Sequence, residues 1–213
     1  MTNINNQIDY WDKVAQEKVF THPINLPLLH KYLPLNSCIL DYGCGYGRVC
    51  QELAQEGYTN VIGVDSSAEM IQRGRQMHPA LQLEVLSSSG WTDHLFDSIF
   101  LIAVLTCIPT DEGQQDLIAF LKPLLRPGGI LYISDYLLQD DERNQQRYRL
   151  YLEEFGTYGV FRLPEGAILR HHSTEWILSL THEFNVLNLS YPEVMTMNGN
   201  KAKAIQVLGQ TRN

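Results

Sequence analysis

Leu40-Asp41-Tyr42-Gly43-Cys44-Gly45-Tyr46-Gly47-Arg48 decides the fold of this chain. Before it, Ser37 to Tyr42 is a short apolar run. After it, Arg48 to Glu56 carries Val49 and Leu53 on one face of a helix, and Gly57 is placed to end that helix. The stretch reads strand, turn, helix, the point at which an open parallel sheet offers a ligand crevice beyond its strand ends. Gly43, Gly45 and Gly47 let the backbone turn sharply and approach a ligand closely. The spacing is G-x-G-x-G, and Arg48 stands where G-x-G-x-x-G would have its third glycine, a departure from the dinucleotide fingerprint. A tight strand-helix connection needs glycines equally, so the meaning of the turn depends on its neighbours.

Working outward, Asn60 to Val64 reads as a second buried strand, and Ser66 or Ser67 caps a helix that runs to about His78 and stops at Pro79. Leu81 to Leu86 alternates as a third strand, and the nearly continuous apolar run Phe96 to Leu105 suits a central strand covered on both faces. Asp111 to Leu125 is amphipathic, with Leu117, Phe120, Leu121 and Leu124 on one face; Pro127-Gly128-Gly129 closes it before the strand Ile130 to Tyr136. Strands joined by helices require a parallel sheet. Glu175 to Glu183 reads as helix, then Asn185 to Met195 and Ala202 to Leu208 as an antiparallel pair turned near Asn198-Gly199-Asn200. Leu137 to His172 is an insert: a charged helix from about Asp140 to Phe155, then a hairpin of Tyr158 to Leu163 and Ala167 to His172. The expected architecture is α/β: a Rossmann-like, doubly wound, seven-stranded, mostly parallel sheet with an antiparallel C-terminal strand pair. One domain spans 1–213, with 137–172 as a cap over the substrate.

The 213 residues, 44% of them hydrophobic, are ample for one core. A net charge of −8 argues against a nucleic-acid partner held by phosphate contacts. Cys38, Cys44, Cys50 and Cys107 form no C-x-x-C pair, so neither a disulfide framework nor a zinc site is expected. No H-x-x-x-H or other metal-ligand spacing occurs, and no metal is expected. The start of the chain lacks a basic segment followed by an apolar run, and no stretch approaches the roughly 18 apolar residues of a membrane span. A cytoplasmic protein with no membrane partner is the expectation.

Asp65 closes the second strand, next to the first in a doubly wound sheet, where a carboxylate accepts hydrogen bonds from both hydroxyls of a ribose. An acid at a helix N-terminus is the plainer alternative. Taken together, Leu40 to Gly47, VIGVDSS at Val61 to Ser67, FDSIFLIAVLTCIP at Phe96 to Pro109 and LLRPGGILYISD at Leu124 to Asp135 resemble the class I S-adenosylmethionine-dependent methyltransferases of the small-molecule, UbiE/type 11 kind. The resemblance covers about Ile8 to Tyr136 and the closing strands. It implies S-adenosyl-L-methionine as cofactor, with Gly43, Cys44, Gly45 and Gly47 around the methionyl part, Asp41 facing its ammonium and Asp65 on the ribose. Ser66 and Met70 would flank the adenosine. Ser88, Ser89 and Gly90 fall where the family has an adenine-contacting segment, here without its acid. Ala103 to Thr106 would lie beside the sulfonium. Tyr10 and Trp11 resemble the family's aromatic lid, and a ring face attracts a cation; Trp11 serves equally well as a packing residue.

Methyl transfer from a sulfonium is an in-line displacement driven largely by alignment in a dry pocket, so a base is required only for some acceptors. Val104 to Pro109 lacks the Asn/Asp-Pro-Pro-Tyr of amide and nucleobase methylation, which favours a small-metabolite acceptor over a peptide or protein side chain. Candidate bases are His22, Tyr136, His171, His172 and Glu175. On a strand His171 and His172 face oppositely, and His171 shares the apolar side with Ala167 and Leu169, so it is the expected catalytic group. Asp135 reads as a strand cap, and Arg162 and Arg170 as surface groups or as ligands for an acidic substrate. The rival readings are a nicotinamide-dependent oxidoreductase and a nucleotide-binding module without catalysis. Asp41 before the loop, the absent third glycine and the antiparallel closing strands count against the first.

Overall fold

The computed structural model describes residues 4–88 and 90–212. Its strands are β1 (Cys38–Tyr42), β2 (Asn60–Asp65), β3 (Gln82–Val85), β4 (Phe96–Ile102), β5 (Leu125–Tyr136), β6 (Val160–Arg162), β7 (Ile168–Arg170), β8 (Phe184–Ser190), β9 (Glu193–Met195) and β10 (Lys201–Thr211). The helices are α1 (Ile8–Val14), α2 (Leu26–Tyr32), α3 (Arg48–Gln55), α4 (Ala68–Met77), α5 (Asp111–Leu121), α6 (Glu142–Phe155) and α7 (Thr174–Leu180).

The main sheet runs β3-β2-β1-β4-β5-β10-β8, with β9 added along β10. Pairings from β3 through β5 are parallel; β10 is antiparallel to both β5 and β8. Adjacent strand residues enter different cores. Leu40, Ile99, Ile133 and Val207 belong to one apolar cluster, while their neighbours Ile39, Phe100, Tyr132 and Leu208 belong to another. Period-two side chains buried on both faces are what a sheet between two helical layers demands. The strand order reverses between β1 and β4, so the ends of these two strands flank the topological crevice.

Several boundaries differ from the sequence reading. The β4 strand stops at Ile102, because Ala103 takes φ 54 and Leu105–Cys107 winds into a 3₁₀ turn. The following helix ends at Leu121 ahead of Pro123, and β5 starts early, running through Pro127-Gly128-Gly129 with a register shift against β4. Phe120 is exposed and meets Trp91 edge-on, while Gln114 and Ile118 share the buried face with Leu117 and Leu121. The run Asn185 to Met195 splits into β8 and β9 around Tyr191-Pro192, where the ring removes a ladder donor. Asn25 caps α2, an element the sequence reading did not propose, by accepting from Leu28 N.

Candidate functional site

The glycine turn is built as a cradle. Gly43 N and Cys44 N both donate to Val64 O, at 2.8 and 3.0 Å, locking the turn against the end of β2. Gly45 has φ 57, and a Cβ there would sit 2.1 Å from Phe20 Cε2. Only glycine takes that conformation at no cost in that space. Gly45 N also donates to Asp65 Oδ2 and Ser67 N to Asp65 Oδ1, each at 2.8 Å. The acid of β2 therefore fastens the turn that follows β1. Burial raises the Asp65 pKa against the lowering effect of those amides.

Beside the turn lies a cavity of about 280 Å³. Of the residues singled out in the sequence, Trp11, Asp41, Gly43, Cys44, Asp65, Ser66, Met70, Ala103 and Thr106 line it. Gly45 and Gly47 shape the turn from behind this wall, and Tyr10 packs edge-on against Trp11 at 5.0 Å rather than on the wall itself. Ser88 turns back to Val85 O at 2.7 Å, and Gly90 borders open space; neither reaches the cavity, where Leu86 stands instead. Ser89 lies outside the described residues.

Asp41 is 1% exposed, and among the described residues its Oδ2 accepts the weak Cys50 thiol proton, at 3.3 Å. Burial pushes its pKa up to about 7. At the same end of the cavity are two groups whose role the sequence reading missed. Arg48, the residue in place of the third glycine, donates to Glu52 Oε1 at 2.5 Å and to the His22 carbonyl, while its buried Nε has no partner. His22 pairs through Nε2 with Ser134 Oγ at 2.8 Å and leaves a buried Nδ1 unpartnered. Burial, and then the Arg48 charge, lower its pKa to about 3, so it is neutral. Arg48 was legible as a charge at a special place in the motif, and His22 was among the candidate bases; Phe20 carries no sequence signal that would bring it there.

The other candidate bases fall differently. Tyr136 lines the cavity, with burial raising its pKa. His171 lines a neighbouring smaller cavity instead; its Nδ1 meets Tyr148 Oη at 2.5 Å. Burial drives its pKa well below the usual value, which makes it a weak proton acceptor and counts against the catalytic role expected of it. His172 is buried between Tyr136 O, 3.1 Å from Nδ1, and the Gln114 amide, 2.9 Å from Nε2. Its pKa, lowered to about 3 by burial, leaves it neutral beside Asp135 rather than ion-paired with it. Asp135 accepts from Thr106 N at 3.1 Å and from its own following amide, bracing the turn after β4 without reaching the cavity. Glu175 is exposed in the first turn of α7. Arg162 is held by Glu154 and Arg170 by Asp111, each at 2.6 Å. Among the described residues, no group of three His, Cys, Asp or Glu side chains could hold a metal ion. No helix among them is long and apolar enough to cross a membrane.

A family model described as a methyltransferase domain matches residues 16–187. The chain belongs to that family. This methyltransferase domain is 32% identical over 133 residues to a trans-aconitate 2-methyltransferase of Variovorax paradoxus, covering 61% of this chain and 49% of the relative. It is 29% identical over 119 residues to a 2-methyl-6-phytyl-1,4-hydroquinone methyltransferase of Synechocystis, covering 52% and 36%. The chain thus spans half or less of the length of these two relatives. Among solved structures, an S-adenosylmethionine-dependent methyltransferase from Methanosarcina mazei superposes with a TM-score of 0.80 at 24% identity, covering 89% of this chain and 99% of that one.

Proposed function

We propose that this methyltransferase domain binds S-adenosyl-L-methionine in the 280 Å³ cavity and transfers the methyl group to an O, N or C atom of a small metabolite. The observation that carries the reading is Asp65: one carboxylate fastens the glycine turn and still faces the cavity. Each of its oxygens has accepted one amide and keeps a lone-pair direction for a ribose hydroxyl. The charges around the remainder of the cavity fit the amino-acid end of the same cofactor. Asp41 is a buried acid short of partners, suited to an ammonium, and Arg48 Nε with His22 Nδ1 are orphaned groups suited to a carboxylate. The names of the two relatives, one acting on aconitate and one on a hydroquinone, agree with a small-molecule acceptor.

The bound cofactor supplies an activated methyl group on a sulfonium. The protein's part is alignment: Ala103 and Thr106 border the site after β4, and Trp11 lines the same cavity, a wall suited to exclude water and fix the line of attack. Calorimetric titration with S-adenosylhomocysteine tests the reading. Wild type should bind and Asp65→Ala should lose roughly 10-fold or more, the order expected for charge-assisted hydrogen bonds of about 1.5–3 kcal/mol. Equal affinity in the two proteins would overturn the assignment.

A further inference from the structure

The principal cavity opens beside a second one of about 90 Å³, and the two share Thr106, Tyr136, Leu169 and Met197. Lys18, Arg143, Arg147 and Lys201 line the second cavity, and its wall includes no aspartate or glutamate. Three of these cations have carboxylate partners: Lys18 with Glu165 at 3.1 Å, Arg143 with Asp141 at 3.9 Å and Lys201 with Glu193 at 2.7 Å. Arg147 is different. Half-buried on α6, its guanidinium lies 3.5 Å from the centroid of the Phe161 ring. Its guanidinium also meets the Tyr148 hydroxyl, but among the described residues its buried Nε has no hydrogen-bond partner and no carboxylate forms an ion pair with it. Asn144 Oδ1, one turn earlier and on the same cavity, is likewise buried and unpaired.

A guanidinium presents its donors as a planar fork that matches a carboxylate or a phosphate, and ring stacking holds that plane in place. Leaving such a donor buried and unmet is costly unless a ligand meets it. We propose that the methyl acceptor is anionic: a metabolite whose carboxylate or phosphate docks on Arg147 in the second cavity while the atom to be methylated reaches the first beside Thr106 and Tyr136. The inference rests on the methyltransferase reading and narrows its acceptor class. Asn144 Oδ1 adds an acceptor for a hydroxyl or N–H next to the anion. The two arginines that the sequence suggested for an acidic substrate, Arg162 and Arg170, are already engaged by Glu154 and Asp111.

The test uses the full chain saturated with S-adenosylhomocysteine, titrated by calorimetry with citrate and separately with inorganic pyrophosphate at constant ionic strength. Wild type should bind at least one of them, and which one reports whether carboxylate or phosphate is preferred. Arg147→Met keeps the packing on Phe161 and should weaken that binding roughly 10-fold or more. Arg147→Lys should recover part of it, and Arg162→Gln, outside the cavity, should leave it within about 2-fold. S-adenosylhomocysteine affinity is measured on every variant and should not change. Wild type binding neither anion, or undiminished binding in Arg147→Met, overturns the proposal while the methyltransferase reading stands. Failure of wild type to bind S-adenosylhomocysteine would sink that reading instead.

Discussion

At Gly45 and Ala103 the backbone enters the same left-handed region with opposite chemistry. Gly45 has φ 57 with Phe20 filling the place of a Cβ, whereas Ala103 has φ 54 and does carry one, immediately after β4 and on the cavity wall. A side chain in that conformation costs about 1–2 kcal/mol. Gly45→Ala should therefore destabilise the protein by roughly 1–3 kcal/mol, with displacement of Phe20 added to the backbone cost. Ala103→Gly relieves that strain but adds roughly 0.5–1 kcal/mol of chain entropy, so stability should rise by about 0–1.5 kcal/mol. Urea denaturation of both variants checks the pair; a large loss for Ala103→Gly would mean that its methyl group packs more than it strains. The glycine at 45 could be read from the motif. The strained alanine could not, because FDSIFLIAVL is apolar on both sides of it, and the groups that brace the following turn, Asp135 on Thr106 N and Gln7 on Cys107 O among them, come from distant segments.

Between elements, one short side chain joins three segments far apart in sequence. Gln7, just before α1, donates from Nε2 to Cys107 O and Ile168 O, each at 2.8 Å, and accepts Ile168 N on Oε1 at 2.7 Å. It fastens the turn after β4 to the start of β7 and itself lines the cavity. Gln7→Ala leaves those backbone groups unmet, which should cost about 1–3 kcal/mol. The Ile168 amide should then exchange its hydrogen at least about 10-fold faster, while amides within β1 and β4 keep their protection. Unchanged exchange at Ile168 would show that the staple holds nothing. The parallel half of the sheet was legible because each strand and its cap is local: an apolar run, a glycine or serine, a periodic helix. The convergence of Gln7, Cys107 and Ile168 is not local, and neither is that of Lys18, Arg147 and Lys201 on the second cavity. No periodicity of a single segment encodes them. Pro192 is a local signal for the break between β8 and β9, since its ring removes a ladder donor.

Over the whole molecule, buried ionisable groups pull stability in opposite directions with pH. His22 and His172, with pKa values lowered to about 3, and His171, held well below the usual histidine value by burial, are neutral in the folded protein. Between pH of about 4 and 6.5 the unfolded chain binds protons on these three that the folded protein refuses, so they make stability rise with pH. Asp41 and Asp135, both pushed up to about 7 by burial, act the other way. Folded, they hold protons that the unfolded chain has released above about 3.9, so their contribution is full at low pH and lost as pH climbs through 7. With the three histidines set against these two acids, and Asp65, also raised by burial, adding to the acids' side, the unfolded chain binds at most about one extra proton on the acid side, a slope of no more than roughly 1.4 kcal/mol per pH unit. The opposing terms cancel near pH 6.5, where the ligand-free protein should be most stable. Asp41→Asn removes one opposing carboxylate, so the acid-side slope should steepen by about one proton and the maximum should move toward more alkaline pH. Urea unfolding from pH 4.5 to 8 measures both. A maximum that stays in place in the variant would mean that Asp41 is ionised in the folded protein. In that case the cavity would already hold its carboxylate as a charge before any cation arrives.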